Sequence, residues 1–262
     1  MVAFGVPFEG NKKLMEVVKK INENKELQTY WKCSNVMALD RMGYSDHGPM
    51  HIKIAANNAL ELLRLLIKKG VIPSVVKNYK LTNEDAEVIV VLAVAFHDIG
   101  HVVDRASHEA FSIPIAFNML DKMVDEIESV KANKPIIISE VLHAIIAHQK
   151  HAIPRTIEAG VVRIADALDM AEGRARIPFS IGTVNIHSVS ALAIEHVEIT
   201  EGGKNAKPIS VKVKLANSAG IFQIDELLKK KIKGSGLEKY IQIDVEIAGE
   251  EKKIVKKVTL EL

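Results

Sequence analysis

The sequence of 262 residues predicts a mainly α-helical domain over residues 1–180, followed by a small α+β domain over residues 181–262. Before residue 180, apolar side chains recur at the three- and four-residue spacing of helices that bury one face. After it, apolar and polar residues alternate and β-branched residues are common, as in half-buried strands. A chain of this length is long enough to bury a full hydrophobic core.

Six segments of the first part have helical periodicity. The clearest is MHIKIAANNALELLRLLIKKG, where Pro49 suits the first turn and Gly70 ends the helix. A second helix is predicted over residues 83–100, with Thr82 or Asn83 as its N-cap. The other predicted helices span residues 14–24, 107–129, 137–149 and 155–172, with Pro135 and Pro154 assigned to loops.

The second part contains four segments with strand-like alternation. They are AIEHVEIT, ISVKVKLA, YIQIDVEIA and KIVKKVTLEL. Between the second and third of them, IDELLKKKI predicts a short helix, and its lysine-rich run is interpreted as a solvent-exposed face. The pair Gly202-Gly203 and Gly249 mark turns.

Composition excludes several classes of protein. The formal net charge of +2 is near balance and does not call for nucleic acid or an acidic membrane as a partner. Cys33 is the single cysteine, so an internal disulfide and a zinc–thiolate site are both excluded. We find no apolar run of the length of a membrane span and no signal peptide, so we expect a cytoplasmic protein without a membrane partner.

The segment AVAFHDIGHVVDRASHEAF concentrates groups that bind protons or metals. His97 and Asp98 are adjacent at the end of a predicted helix, where both side chains can turn into one cleft. Imidazole and carboxylate together suit divalent metals. Asp166 lies in the otherwise apolar segment VVRIADALDM, where a buried carboxylate would be costly without a cation.

Several separated motifs together resemble the HD superfamily of metal-dependent phosphohydrolases. The segments HDIGHVVDRASHEA, AIIAHQKH and RIADALD occur in the order typical of that superfamily, and they are similar to the HD domain of bacterial ribonuclease Y. DHGPMH resembles a group of uncharacterised archaeal HD proteins. The resemblance covers roughly residues 45–180. It implies an HD-domain helical bundle for the first part of the chain.

The resemblance also implies a metal centre with one or two divalent ions. A one-ion core would consist of four residues: His51, His97, Asp98 and Asp166. With two ions, Asp98 would bridge them, and His108 and His148 would hold the second. The metal is left open among Mn, Mg, Fe, Ni, Co and Zn. His143 is not assigned to the same ion as His148, because five residues correspond to about 140° around a helix.

One departure from the family pattern concerns the substrate. Many relatives have HDIGK where this chain has HDIGH, so His101 replaces a lysine that would bind a phosphate oxygen. A histidine near neutral pH is able to donate a proton instead, and His101 is predicted to face the substrate and protonate the leaving group. Lys53, Arg174 and Arg176 are further candidates for phosphate contacts.

Each candidate has a simpler structural interpretation. His97 and Asp98 could end a helix without a ligand, and Asp166 could pair with Arg163. His108 and His148 could lie on polar helix faces. Five further residues are not expected to be ligands. His47 and Asp169 are expected to support the site or cap a helix, and Asp104 to pair with Arg105 or with the second nitrogen of a histidine. His187 and His196 lie outside the pattern and are expected to be structural.

The preferred interpretation is a phosphohydrolase in which metal-activated water attacks a phosphate mono- or diester. Asp98 and His101 would be the catalytic residues, and the partner would be a phosphorylated small molecule such as a nucleotide. Two alternatives stay open: a non-catalytic HD module that senses a metal or nucleotide, and a ribonuclease, which near-neutral charge and the lack of a KH segment disfavour. Exposed strand edges favour a homo-oligomer.

Overall fold

The structure is a computed structural model that describes residues 3–149, 152–171, 190–204 and 206–248, together with the backbone of residues 257–260. Helices come first and strands last, so the predicted fold class is confirmed. Several predicted features lie outside the described residues: the proposed boundary near residue 180, Arg174, Arg176, His187 and the turn at Gly249.

Within the described residues, the first part of the chain forms eight α-helices. They are α1 (Lys12–Glu23), α2 (Lys25–Asn35), α3 (Pro49–Lys68), α4 (Ser74–Tyr79), α5 (Asn83–Phe96), α6 (His108–Asp125), α7 (Lys134–Ala147) and α8 (Ile157–Leu168). A π-helical turn over Val36–Arg41 follows α2, and a 3₁₀ turn over Ile99–Val102 follows α5.

Helix α5 is the centre of the bundle. Every residue from Val88 to Phe96 is buried, so the helix is apolar around its whole circumference and packs against α1, α3, α7 and α8. Thr82 caps it in a capping box with Asp85, as one of the two predicted caps. The helix ends at Phe96. His97 and Asp98 follow directly and are buried in the interior of the bundle. Within the described residues, no helix has an apolar stretch long enough to cross a bilayer.

Helix α2 was not predicted, because its sequence, KELQTYWKCSN, has few apolar residues. Asn24 ends α1 and also caps α2, accepting a hydrogen bond from the N–H of Leu27 at 2.9 Å. Trp31 is buried, and its Nε1–H donates to the carbonyl oxygen of Ala95 at 2.7 Å. Helix α2 therefore covers the end of α5.

Several helix boundaries differ from prediction: the helix predicted over residues 83–100 ends at Phe96, and the one predicted over residues 155–172 spans Ile157–Leu168. Pro135 lies in the first turn of α7 rather than in a loop, a position where the missing N–H of proline costs no helical hydrogen bond. The helix predicted over residues 107–129 ends at Asp125, where Glu126 bonds back to the carbonyl oxygens of Met123 and Val124.

The C-terminal part contains a four-stranded mixed sheet in the order β1-β2-β3-β4. The strands are β1 (Ile194–Glu201), β2 (Ile209–Leu215), β3 (Ile241–Ile247) and β4 (Lys257–Leu260). Strands β1 and β2 form an antiparallel hairpin, β2 and β3 are parallel, and β3 and β4 are antiparallel. The predicted turn at Gly202 joins β1 to β2, and a Cβ atom there would lie 1.7 Å from the carbonyl oxygen of Lys207.

The parallel connection between β2 and β3 carries the predicted short helix. It comprises α9 (Ile221–Gln223), a π-helical segment over Ile224–Leu228, and α10 (Lys229–Lys233). This connection packs on α8: a Cβ atom at Gly160 would lie 2.5 Å from the carbonyl oxygen of Ser235. The sheet region is thus docked on the helix that carries Asp166.

Candidate metal centre

Seven acidic and histidine side chains meet at the C-terminal end of α5. Helix α3 contributes His51, the end of α5 contributes His97 and Asp98, and the following 3₁₀ turn contributes His101. The others are His108 at the start of α6, His148 at the end of α7, and Asp166 in α8. All are buried except Asp166, whose side chain is 13% exposed.

A first set of donors surrounds Oδ2 of Asp98. This oxygen lies 3.3 Å from Nε2 of His51 and 3.2 Å from Nε2 of His97. Oδ1 of Asp166 lies 3.4 Å from the same atom of His51 and 3.7 Å from that of His97. The four residues predicted as a one-ion core therefore lie together.

A second set surrounds the other oxygen of the same carboxylate, Oδ1 of Asp98. Nε2 of His108 lies 3.2 Å from it, Nε2 of His101 3.5 Å, and Nε2 of His148 3.8 Å. The rings of His101 and His108 stack with centroids 4.0 Å apart. Asp98 thus presents one oxygen to each set, so its carboxylate would be able to contact an ion held by either set.

Hydrogen bonds at Nδ1 orient four of the histidines. His97, His108 and His148 each donate from Nδ1 to a backbone carbonyl oxygen, at 2.7, 2.8 and 2.6 Å. His51 Nδ1 lies 2.6 Å from Oδ2 of Asp169. Because these acceptors require a proton on Nδ1, the neutral rings carry lone pairs on Nε2. Those lone pairs point into the centre.

The donor geometry fits divalent ions. Nε2 of His51 lies 3.3 Å from Nε2 of His97, and Nε2 of His108 lies 3.1 Å from Nε2 of His148. Two ligand atoms on one ion at about 2.0–2.2 Å lie about 3.0–3.5 Å apart. Among the described residues, Oδ2 of Asp98 and both ring nitrogens of His101 have no hydrogen-bond partner although they are buried. A cation would satisfy these atoms and separate the facing lone pairs.

In the ion-free protein, protons on the histidine rings partly replace the positive charge of a metal ion. Burial disfavours the charged form of His97, but Asp98 and Asp166 outweigh it and raise the pKa of His97 to about 9. Burial also opposes protonation of His108, yet contact with Asp98 raises the pKa of that ring. Burial, together with the charges of His97 and His108, holds the pKa of His148 well below its usual range. His97 is therefore protonated at neutral pH, and His108 is protonated more readily than His148, which it faces.

We expect ion binding to release protons and to strengthen as the pH rises from 6 to about 9. An ion that binds below pH 9 has to displace the proton from His97, since the folded-state pKa of that ring is about 9. Calorimetric titrations with Mn²⁺ in buffers of different ionisation enthalpy measure this release. Binding with no buffer dependence at pH 7 would contradict the protonated His97.

Gly100 and Ser112 bring α6 against the end of α5. The N–H of Gly100 donates to Oγ of Ser112 at 2.8 Å, and that hydroxyl donates to the carbonyl oxygen of His97 at 2.7 Å. A Cβ atom at Gly100 would lie 2.0 Å from the carbonyl oxygen of His108. This close approach of two backbones places His108 beside Asp98.

Sequence reasoning missed Lys231, and the alternative in which Asp166 pairs with Arg163 is wrong. The ammonium of Lys231 lies 3.1 Å from Oδ2 of Asp166 and is buried, which corrects the interpretation of the lysine run as wholly solvent-exposed. Arg163 does not pair with Asp166. Its guanidinium donates to the carbonyl oxygens of Ala147, Gln149 and Ala152 and so supports the turn at His148. A lysine inside a lysine-rich helix gives no local signal of burial.

Other predicted residues lie outside the two donor sets. The side chain of Lys53 lies next to Gly5, and no described contact joins it to the metal centre. Its phosphate-binding role therefore stays a prediction. Nε2 of His143 accepts the N–H of Arg155 at 2.9 Å. Oδ2 of Asp104 accepts the N–H of Ala106, so the expected pairing of Asp104 with Arg105 or a histidine is wrong.

Asp169 supports a donor, as the sequence predicted, whereas His47 lies close enough to Asp98 and His101 to hold an ion with them, so its expected supporting role stays a prediction. The ring of His47 lies 4.6 Å from that of His101, and its Nδ1 contacts the carbonyl oxygen of Ser45 at 2.7 Å. Asp169 orients His51 through Nδ1. Such partners fix the ring orientation of a ligating histidine and raise its basicity.

Arg105 is a further residue that the sequence did not single out. Its guanidinium carbon lies 3.9 Å from the centroid of the Tyr44 ring, and its carbonyl oxygen accepts the hydrogen bond from His108. No carboxylate of the described part of the chain forms an ion pair with it. Arg105 therefore offers a cation, held by stacking, next to the second donor set.

Comparisons with known proteins agree with this geometry. The profile of the HD domain matches residues 55–171. Uncharacterized protein MJ1020 of Methanocaldococcus jannaschii is 43% identical over 245 residues, which cover 93% of this chain and 93% of the relative. No solved structure matches. HD domains are generally metal-dependent hydrolases, and the buried histidine–aspartate cluster is compatible with metal binding. This chain belongs to the HD-domain family.

Proposed function

We propose that this protein is a phosphohydrolase that uses two divalent ions to hydrolyse a phosphate mono- or diester of a nucleotide-like molecule. The observation that carries the proposal is that the two carboxylate oxygens of Asp98 face different donors. Oδ2 faces His51 and His97, and Oδ1 faces His101, His108 and His148. Two-ion sites of this kind are typical of phosphate-ester hydrolysis. One ion would be held by His51, His97 and Asp166, and the other by His108, His148 and His101.

The ions would supply Lewis-acid chemistry, lowering the pKa of a water molecule and stabilising charge on the transferred phosphoryl group. The residues of the chain would position the ions and exclude water. Asp98 joins the two sets and keeps the donors at a constant separation. Burial excludes bulk water from the donor atoms, so their charges act in a medium of low dielectric constant.

Arg105 is proposed to bind the phosphate of the substrate. This chain has His101 where many relatives have a lysine, so a permanent charge has to come from another position. A guanidinium binds phosphate oxygens in a bidentate manner. Stacking on Tyr44 holds the group in place beside the centre and leaves its N–H donors available.

We expect Arg105→Gln to raise KM about tenfold or more while kcat changes much less, because a phosphate contact made equally in ground and transition states affects binding alone. Steady-state kinetics on the best substrate measure the split. Arg41→Gln, at an exposed arginine, is the matched control. An unchanged KM for Arg105→Gln would remove Arg105 from the substrate site.

His101 is proposed to be a donor of the second set rather than the proton donor for the leaving group. Burial lowers the pKa of His101 despite the opposing effect of Asp98, so the ring is neutral at pH 7. It is therefore not the imidazolium that a proton donor for the leaving group would need to be. Its Nε2 faces Oδ1 of Asp98 at 3.5 Å. The proton-donor role stays the competing prediction.

His101→Ala separates the two roles. For a ligand, we expect the bound-ion content to fall from two towards one per chain and the loss of kcat to be similar for all leaving groups. For a proton donor, the ion content would stay unchanged, and phenyl phosphate would lose more activity than p-nitrophenyl phosphate, whose leaving group needs no protonation. Metal analysis and parallel assays give the answer.

The decisive experiment is hydrolysis by metal-free protein reconstituted with each of Mn²⁺, Mg²⁺, Fe²⁺, Co²⁺, Ni²⁺ and Zn²⁺. Bis-p-nitrophenyl phosphate tests diesters and p-nitrophenyl phosphate tests monoesters, followed by a set of phosphorylated metabolites. We expect turnover that requires an ion. Stoichiometric ion binding without turnover on any of these would favour a sensor, and turnover confined to RNA would favour a ribonuclease.

A further inference from the structure

Lys231 differs from the lysines on either side of it. Its ammonium donates to Oδ2 of Asp166 at 3.1 Å and to the carbonyl oxygen of His148 at 2.6 Å, and the residue is 8% exposed. Lys229 and Lys230 pair with Asp225 and Glu226 within their own helical segment. Burial of an ammonium is costly unless it is paired and hydrogen-bonded. The two partners of Lys231 belong to different donor sets of the metal centre.

The contact with Lys231 gives the two carboxylate oxygens of Asp166 different partners. Oδ1 faces His51 and His97, at 3.4 and 3.7 Å, whereas Oδ2 is held by Lys231. Because the same ammonium is anchored on the carbonyl oxygen of His148, Lys231 has little freedom to move away. An ion in the first set would therefore meet a single oxygen of Asp166.

The charge of Lys231 also matters for the acidic side of the centre. Asp98, Asp166 and Asp169 all lie within 3.4 Å of a ring nitrogen of His51. The ammonium of Lys231 contacts Asp166, one of these three carboxylates. A fixed positive charge at that place stabilises the ion-free protein and repels an incoming cation. Its loss would leave Oδ2 of Asp166 without this cation and available to an ion.

We infer that Lys231 is a positioning residue of the metal centre, through which the C-terminal part of the chain limits Asp166 to one ion-facing oxygen and weakens ion binding by its charge. The inference rests on the proposed metal centre. A residue that merely supported the fold would have the opposite effect, since its loss would weaken ion binding.

The test compares Lys231→Met, which keeps the length of the side chain without its charge, with Lys231→Arg and with the matched surface control Lys230→Met. Each full-length protein is made metal-free, its folding is checked by circular dichroism, and it is titrated with Mn²⁺ and with Co²⁺. The Mn²⁺ titration gives the dissociation constant. The visible absorption of Co²⁺ reports the number of ligands.

We expect the Mn²⁺ dissociation constant of Lys231→Met to fall about tenfold, because a like charge near the ion is removed. The Co²⁺ absorption should weaken as Asp166 adds its second oxygen. Lys231→Arg should restore both readings, and Lys230→Met should match the wild type. If Lys231→Met does not fold, Lys231→Gln takes its place with the same expectation of tighter Mn²⁺ binding.

Equal dissociation constants and spectra for the wild type and Lys231→Met, or weaker binding by the variant, would overturn the role of Lys231 and leave the metal centre standing. A wild-type protein that binds neither ion would overturn the metal centre, and the proposed function with it.

Discussion

Asp98→Asn is expected to lower hydrolysis by about 10³-fold or more and to reduce the bound ions from two per chain to one or none. The substitution keeps the shape of the side chain but replaces one oxygen by an NH₂ group. That group cannot bind a cation, and whichever donor set it faces loses its shared ligand. No other described residue presents an oxygen to both sets.

The same variant should change the protonation of His97 in the ion-free protein. Asp98 is the leading cause that raises the pKa of His97 to about 9 against the effect of burial, so its neutralisation should lower that pKa. Histidine proton resonances followed from pH 5 to 10 measure the shift. The exposed Asp104→Asn is the matched control, with an unchanged pKa and activity expected.

Full activity of Asp98→Asn with two bound ions would contradict the bridging role and therefore the observation on which the proposed function rests. Loss of activity with both ions retained would point instead to Asp98 as an orienting group for water. Ion content and turnover have to be measured on the same preparation, because each alone leaves one of these outcomes undetected.

The helical half and the order of the ligand candidates could be predicted because their signals are local. Helix α3 has a long apolar stripe, α5 has an uninterrupted apolar segment, and the end of α5 is marked by two polar residues with metal-binding side chains. Helix α2 could not be predicted, since its position depends on Trp31 reaching a carbonyl oxygen 64 residues away. Periodicity within a short polar segment contains no such information.

The supporting cations could not be predicted for the same reason. Lys231 lies in a run of lysines, and nothing in the local sequence distinguishes it from the exposed ones. Only the docking of its helix on α8 buries it against Asp166. Arg105 adjoins Asp104, so a local pair was the simplest expectation, yet stacking on Tyr44 is what the structure contains. Electrostatic partners are set by the tertiary fold, whereas ligand candidates are visible from residue type.

Gly100→Ala is expected to destabilise the protein by about 3 kcal/mol or more and to remove the second ion before the first. The added methyl group would lie 2.0 Å from the carbonyl oxygen of His108 and 2.5 Å from the backbone nitrogen of Ser112. Both atoms belong to the backbone of α6, so no side chain can rotate to make room. The helix would have to move away from the end of α5.

Movement of α6 acts on the two donor sets unequally. His108 lies in α6 and would be displaced from Oδ1 of Asp98, whereas His51, His97 and Asp166 lie in other elements. Urea unfolding gives the loss of stability, and ion content gives the loss of the second ion.

Ser112→Ala, which removes the hydroxyl but adds no atoms, should cost only about 1–3 kcal/mol, as for a buried N–H left without its partner. Gly203→Ala, at a glycine with no atom within 4 Å of the added methyl group, should change neither quantity. If Gly100→Ala kept wild-type stability and both ions, the close contact between α6 and the 3₁₀ turn would not be what holds His108 in the centre.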